Sequence, residues 1–270
     1  MNKFENCLLV SDMDATLLTS GHEISEANRQ AIDYFISEGG RFTVATGRMT
    51  DAVGAYLNRM TINAPAILHN GARIYDFEKS EVIFEKFIEE HRKAAVKRVY
   101  NDMPELGLEI YSDEIIYIYK PCEETKRFLS KSYKVVYDMP PEIWDRPWIK
   151  LLLIGDTKEI LDKYEPIYRS RYDDGYCVRS GPLYLDIVAG GVSKGKGVER
   201  VANQLGCGRI ITIGDSENDI EMLQTADISF AVKNAVPAAK AAASYSAPHH
   251  NDSAVAYVVS QLEKLINQTA

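Results

Sequence analysis

The 270-residue sequence has few of the features that mark secreted or membrane proteins. Its four cysteines, Cys7, Cys122, Cys177 and Cys207, include no Cys-x-x-Cys pair, so we expect reduced thiols, mostly buried, rather than a disulfide framework or a metal knuckle. No apolar run is long enough to predict a membrane span, and the run before Asp12 is too short and too uncharged in front to be a secretory signal. We therefore expect a cytoplasmic protein.

Positive charge is also scarce. The chain has 31 Lys and Arg against 39 Asp and Glu, which gives a formal net charge of −8. Nucleic-acid binding requires a basic surface that releases counterions, and this composition argues against it. An anionic substrate must therefore be attracted by a local site. The length allows a large core and a second domain.

Several short apolar runs end in small or polar residues, as strands of a buried parallel sheet do. These runs are residues 7–11, 41–45, 66–69 and 209–214. The polar residues that follow them are Asp12, Asp14, Thr46, Asn70, Asp215 and Asp219. Because the carboxyl ends of neighbouring parallel strands share one edge of a sheet, we expect these side chains to meet there. Four carboxylates so placed would repel one another without a cation.

Strands alternate with helices at both ends of the chain but not in the middle. The alternation predicts an α/β fold with a doubly wound parallel sheet, built from residues 1–83 and 186–270. The middle, residues 84–185, contains eleven of the 16 tyrosines and strand-like runs at 115–119 and 149–155. We predict that it forms an inserted α+β cap domain with antiparallel strands and one solvated face.

Four segments resemble, in order and spacing, the motifs of the haloacid dehalogenase (HAD) superfamily, whose core is a Rossmann-like sheet. They are Asp12-Met13-Asp14-Ala15-Thr16, Thr46-Gly47-Arg48, Lys194 and Gly214-Asp215-Ser216-Glu217-Asn218-Asp219. More narrowly, Asn70-Gly71-Ala72 and Val192-Ser193-Lys194-Gly195 resemble the Cof-type (type IIB) sugar-phosphate phosphatases. Ala15 departs from the superfamily pattern, since glycine is usual at that position.

The resemblance implies roles for the four aspartates. Asp12 is the expected nucleophile, which forms an aspartyl phosphate, and Asp14 the acid and base. Asp215 would hold Mg²⁺ with Asp12 and the backbone carbonyl of Asp14, because a small hard cation prefers oxygen ligands. Asp219 either holds the metal ligands in place without binding the metal itself or is a helix-start residue that offsets the helix dipole.

The remaining motif residues are expected to bind phosphate. Lys194 supplies a positive charge, Thr46 a hydroxyl, Gly47 a backbone amide, and Asn218 a hydrogen bond. Arg48 either reaches the phosphate or pairs with an acid on the following helix. Asn70 either shapes a turn or borders the substrate.

The predicted function is Mg²⁺-dependent hydrolysis of a small phosphate monoester, such as a sugar phosphate, with the cap closing over the leaving group. The partner is thus a small phosphorylated metabolite, with neither nucleic acid nor membrane involved. Two alternatives stay open at this point. One is a sugar-phosphate mutase that returns the phosphoryl group to the sugar, and the other is a phosphometabolite-binding protein without turnover.

Overall fold

The computed structural model describes residues 2–130, 133–173 and 176–268 of the chain. Up to residue 85, strands and helices alternate before a short hairpin. The elements are β1 (Cys7–Ser11), α1 (Glu26–Ser37), β2 (Arg41–Val44), α2 (Thr50–Gly54), β3 (Ala66–Leu68), β4 (Arg73–Asp76) and β5 (Glu81–Glu85). Helix α1 begins after Ser25, whose side chain accepts a hydrogen bond from the backbone N–H of Asn28 and caps the helix.

The middle of the chain builds a separate, mainly antiparallel sheet. Its elements are α3 (Glu90–Asp102), β6 (Leu106–Ser112), β7 (Ile115–Lys120), β8 (Val135–Val136), β9 (Lys150–Gly155), α4 (Lys158–Arg171), β10 (Tyr176–Gly181) and β11 (Tyr184–Val188). The strand order is β10-β11-β9-β6-β7-β8, and among these neighbours only β7 and β8 run parallel. We call this sheet with its two helices the cap.

The last part of the chain returns to alternating helices and strands. Its elements are α5 (Lys194–Leu205), β12 (Arg209–Gly214), α6 (Ile220–Thr225), β13 (Ile228–Val232), α7 (Pro237–Ala242), β14 (Tyr245–Ala247) and α8 (Ala254–Gln268). These strands join the first two in a parallel sheet of order β14-β13-β12-β1-β2. A parallel bridge between Ala45 and Ile67 brings β3 alongside β2. The predicted α/β class with a parallel-sheet core is confirmed.

Alternate residues of β1 explain why this sheet is covered on both faces. Leu9 packs into a buried cluster that includes residues of α1 and α8, whereas Leu8 and Val10 pack into a second cluster with residues of α5 and α6. Side chains of a strand point alternately to opposite faces of the sheet. A strand that is apolar at every position must therefore be covered on both faces. Burial of β1 on both faces thus explains the nearly continuous apolar run at residues 7–11.

Both predicted cap boundaries fall inside strands. Residue 84 lies in β5, which pairs with β4 as far as Glu85, and residue 186 lies in β11, which is hydrogen-bonded in the cap sheet. A strand belongs to the sheet with which it forms hydrogen bonds, so all of β5 stays with β4 and all of β11 stays with the cap sheet. We propose junctions at residues 86–88 and 189–193, where the Lys86 ammonium donates to the carbonyl of Gly190 at 2.6 Å.

The cap tyrosines also differ from the expectation of a solvated face. One face of the cap sheet packs against α3 and α4, with Tyr117, Tyr164 and Tyr168 in that cluster. The opposite face, which carries Tyr111 and Tyr184, lines a cavity between the cap and the core. In the described part of the chain, no helix is long and apolar enough to cross a membrane.

Candidate active site

The carboxyl ends of four core strands meet beneath the cap and are joined there by backbone hydrogen bonds. The amide of Asp12 donates to the carbonyl of Ile213 at 2.9 Å, and the amide of Thr46 to that of Ile67 at 2.8 Å. The amide of Asn70 then donates to the carbonyl of Thr46 at 2.9 Å. These contacts bring the polar ends of β1, β2, β3 and β12 to one edge. Residues from three of these ends line a cavity of about 710 Å³: Asp12, Asp14, Thr46, Gly47, Arg48, Asp215 and Asn218.

A buried lysine lies at the centre of the acidic residues. Lys194 begins α5, and its ammonium donates to Oδ1 of Asp12 at 2.7 Å and to Oδ1 of Asp219 at 2.6 Å. Its side chain is only 1% exposed. Burial by itself lowers the pKa of a lysine, but the charges of the two carboxylates outweigh burial and raise the pKa of Lys194. The side chain is therefore a fixed positive charge against Asp12.

Asp219 orders the loop after β12. Its second oxygen, Oδ2, accepts hydrogen bonds from the backbone amides of Asp215 and Ser216 at 2.8 and 3.0 Å. With Oδ1 on Lys194, both oxygens have protein donors, and the side chain is fully buried. Asp219 thus connects Lys194 to the loop that carries Asp215, a role that is more than dipole compensation at a helix start.

The carboxylates can supply a cation site. Asp12, Asp215 and Asp219 each place an oxygen within 4.8 Å of the others, and among the described residues this is the one such group of possible metal ligands. Burial and the charge of Asp219 raise the pKa of Asp215 to about 7, and burial with the neighbouring carboxylates raises the pKa of Asp12 well above its usual range. A hard divalent cation would relieve this repulsion, and the all-oxygen donor set suits Mg²⁺.

Arg48 pairs with an acid of the site itself. Its Nε and Nη2 donate to the two oxygens of Asp14 at 2.8 and 2.6 Å, whereas the predicted alternatives were phosphate or an acid on the following helix. Burial raises the pKa of a carboxyl group, but this two-point hydrogen bonding outweighs it and lowers the pKa of Asp14. Asp14 is therefore held as a carboxylate while Arg48 remains on it.

Asn70 and its loop are fixed by close contacts with neighbouring motifs. The Asn70 Oδ1 accepts from Nδ2 of Asn218 at 3.0 Å, and a Cβ at Gly47 would lie 3.3 Å from the Asn70 amide. Gly71 has a φ of +94°, and a Cβ there would lie 2.0 Å from the carbonyl of Ser193, so only glycine fits. Asn70 thus shapes the turn and contacts Gly47 and Asn218, two of the residues predicted to bind phosphate.

The backbone of the Asp-x-Asp loop is strained at Ala15, the residue that departs from the family pattern. Ala15 has a φ of +56°, in the left-handed region that glycine occupies without steric cost. The carbonyl of Ala15 accepts a hydrogen bond from Nδ2 of Asn234 at 2.8 Å, which fixes this conformation. The conformation that glycine favours is thus retained, although the residue is alanine.

The cap residues that complete the cavity were not predicted from the sequence. Lys150 on β9 donates to the carbonyl of Gly47 at 2.9 Å and lies 2.9 Å from Oδ1 of Asp186 on β11. In the cap turn, Glu114 pairs with Arg73 of the core. The available signal was a charged residue inside an apolar strand run, as in Ile149–Leu153. A buried charge requires a partner, but the sequence does not say which one.

Comparisons with known proteins agree over most of the chain. The sequence model of the haloacid dehalogenase-like hydrolase family matches residues 9–259. Putative phosphatase M6_Spy0533 of Streptococcus pyogenes is 28% identical, over 93% of this chain and 96% of its own length. The crystal structure of TM0651 from Thermotoga maritima is 30% identical and has a TM-score of 0.76, over 94% and 96% of the two chains. The subclass IIB sugar phosphatase BT4131 shares the fold at 22% identity, with a TM-score of 0.81 over 94% and 98%.

Proposed function

The chain belongs to the haloacid dehalogenase-like hydrolase family and is a phosphatase, and we propose that it hydrolyses small phosphate monoesters with Mg²⁺ through an aspartyl phosphate at Asp12. The observation that carries the proposal is the position of Asp12. Its carboxylate lies at the end of β1, beside the Lys194 ammonium and within an acidic group that can hold a cation. A phosphate monoester is a dianion, and these positive charges would offset its repulsion from the nucleophile.

In the first step, a carboxylate oxygen of Asp12 attacks phosphorus. A bond forms between this oxygen and phosphorus while the bond from phosphorus to the ester oxygen breaks. The leaving oxygen takes its proton from the carboxyl group of Asp14, which becomes a carboxylate. Lys194 contacts Asp12, and its ammonium would stabilise the negative charge on the phosphoryl group during transfer.

In the second step, water replaces Asp12 on phosphorus. The Asp14 carboxylate removes a proton from the water as the new bond to phosphorus forms, and the bond from phosphorus to the Asp12 oxygen breaks. Inorganic phosphate leaves, Asp12 is again a carboxylate and Asp14 is protonated. The pair with Arg48 favours the ionised form of Asp14, which suits this step. The first step requires Arg48 to move off Asp14, and a bound phosphate dianion offers it another partner.

Mg²⁺, held by Asp12 and Asp215, would supply positive charge to the phosphate oxygens. The cation would also offset the repulsion that raises the pKa of Asp215. Thr46, Gly47, Asn218 and Lys194 are our proposed phosphate-binding residues, because the first three line the cavity with Asp12 and the ammonium of Lys194, at the start of α5, donates to Asp12. Because one fold relative is a sugar phosphatase, sugar phosphates belong among the esters to be tested.

The test is phosphate release from a panel of monoesters, with and without Mg²⁺, and with Asp12→Asn as the blank. We expect Mg²⁺-dependent release by the wild type and none by Asp12→Asn, whose amide cannot attack phosphorus. Borohydride treatment during turnover should convert an aspartyl phosphate at position 12 to homoserine, which peptide mass spectrometry detects. Release by Asp12→Asn within a few fold of the wild type would exclude Asp12 as the nucleophile.

A further inference from the structure

Both the core and the cap hold backbone carbonyls of the loop after β2. The carbonyls of Thr46 and Arg48 accept hydrogen bonds at 2.9 and 3.1 Å from backbone amides of the core segment that follows β3. The carbonyl between them, that of Gly47, accepts from the ammonium of Lys150 at 2.9 Å, and this lysine lies on β9 of the cap. The cap therefore supplies a donor to the middle of a loop that we propose binds phosphate.

The Lys150 ammonium fixes the peptide group that joins Gly47 to Arg48. The carbonyl of this peptide group accepts from Lys150, and its N–H, that of Arg48, donates to Oγ1 of Thr46 at 3.2 Å. Glycine has wide backbone freedom, so a peptide group next to it needs such hydrogen bonds to keep one orientation. Because Oγ1 of Thr46 accepts this N–H, the hydroxyl hydrogen points away from it and can be donated to a phosphate oxygen. The contact from Lys150 thus acts on the orientation of the Thr46 hydroxyl.

The cap holds the Lys150 ammonium in place through its neighbouring strands. Oδ1 of Asp186, on β11, lies 2.9 Å from the ammonium, and the ring centre of Tyr111, on β6, lies 4.4 Å from it. The other oxygen of Asp186 accepts from the hydroxyl of Ser180 on β10. Lys150 and Asp186 are both buried, and a buried charge is costly without a partner. These contacts lie within the cap, so the ammonium moves with the cap and reaches Gly47 only when the cap lies on the core.

We propose that Lys150 is a positioning residue of the cap, which holds the Gly47–Arg48 peptide group so that the Thr46 hydroxyl is directed at the phosphate. This inference rests on the proposed phosphatase function and adds to it a cap residue that acts on the phosphate rather than on the leaving group. Lys150 also lines the cavity. A direct contact between its ammonium and the leaving group is therefore the competing role that the experiments must distinguish.

Inorganic phosphate is the appropriate probe, because it has no leaving group. In calorimetry with Mg²⁺, we expect Lys150→Met to bind inorganic phosphate about tenfold more weakly than the wild type, the loss expected for one charge-assisted hydrogen bond. Lys120→Met is the matched control, since Lys120 on β7 donates to two backbone carbonyls within the cap, at 3.1 and 3.0 Å. This control should bind phosphate as the wild type does. Unfolded protein lowers the number of sites but not Kd, so partial unfolding cannot imitate the effect.

A double-mutant cycle with Thr46→Val tests the route from Lys150 to the phosphate. Thr46→Val keeps the shape of the side chain and removes the hydroxyl that the Gly47–Arg48 peptide group orients. In this background, Lys150→Met should weaken phosphate binding by less than about threefold, because the group that Lys150 positions is missing. Loss of the positive charge alone would weaken binding by the same factor in both backgrounds. A larger factor than threefold in the Thr46→Val background would therefore overturn the inference.

Ester hydrolysis separates this role from a leaving-group contact and from the proposed function. Lys150→Met should lower kcat/KM for glycerol 3-phosphate and for a hexose 6-phosphate by factors that agree within about threefold. A larger difference between the two factors would mean that Lys150 contacts the leaving group, which overturns the inference and leaves the phosphatase proposal standing. The expected coupling in phosphate binding, with no ester hydrolysed by the wild type, would support the inference and remove the phosphatase proposal. A wild type that does not bind phosphate would also overturn the inference.

Discussion

Replacing the buried lysine of the acidic cluster tests the electrostatics of the site most directly. In Lys194→Met, a side chain of similar length loses an ammonium that lies 2.7 and 2.6 Å from two carboxylates. Each contact has a gross Coulomb energy of about 6 kcal/mol at an effective dielectric constant of about 20. Desolvation offsets much of this, and breaking a buried pair by removing one partner costs about 3–5 kcal/mol.

We therefore expect Lys194→Met to lower the free energy of unfolding of the core by about 3–5 kcal/mol. With a urea dependence of about 2 kcal/mol per M, the unfolding midpoint should fall by about 2 M. Far-UV circular dichroism is the appropriate measure, because both tryptophans, Trp144 and Trp148, lie in the cap and report on that unit. Their fluorescence transition should change less than the dichroism.

A surface lysine on the same helix provides the matched control. Lys196 is 57% exposed and pairs with the exposed Glu199 at 3.0 Å, and exposed pairs contribute about 0–1 kcal/mol. Lys196→Met should therefore change the midpoint little. Mg²⁺ should stabilise Lys194→Met more than the wild type, since the cluster is more negative in the variant. If Lys194→Met and Lys196→Met cost the same, within about 1 kcal/mol, the inference that this ammonium balances the buried carboxylates is refuted.

Three further predictions address the metal, the backbone and pH. Asp215→Asn should raise the Mg²⁺ concentration for half-maximal phosphate release by at least about tenfold, because a carboxylate ligand is lost. Ala15→Gly should stabilise the protein by up to about 1 kcal/mol in urea unfolding, because glycine relieves the strain at φ +56°. Burial lowers the pKa of His69 well below its usual range, so below about pH 6.5 the unfolded chain gains a proton that the folded chain does not. Stability should then fall by about 1.4 kcal/mol per pH unit, and His69→Asn should lack this component.

Matched variants keep these predictions specific. Glu217→Gln changes an exposed acid next to the cluster and should leave the Mg²⁺ titration as in the wild type, so an equal effect at both positions would contradict the metal assignment. Ala31→Gly, inside α1, should destabilise by about 1 kcal/mol, opposite in sign to Ala15→Gly. Replacing the exposed His22 by Asn should keep the acid dependence of the wild type. If it removes that dependence and His69→Asn does not, the buried histidine is not its source.

The core and the expected location of the site could be predicted from the sequence. Strands buried on both faces require continuous apolar runs, and parallel strands end at a common edge of the sheet. The sequence therefore predicts that the strand ends carrying Asp12, Thr46, Asn70 and Asp215 lie close together. The beginning of α1 was also predictable, because a cap hydrogen bond such as that of Ser25 joins residues close in the chain. The predicted cap boundaries fall inside β5 and β11, because strand pairing rather than composition decides where these strands end.

Which charges pair could not be predicted, because it depends on how the folded chain packs. Lys194 joins Asp12, 182 positions away, with Asp219, and Lys150 reaches across from the cap to Gly47 of the core. The sequence shows that each buried charge needs a partner, because desolvation penalises an isolated one, but several carboxylates satisfy that condition equally. The choice among them depends on distances of a few ångströms, which follow from how the sheets and the cap pack together.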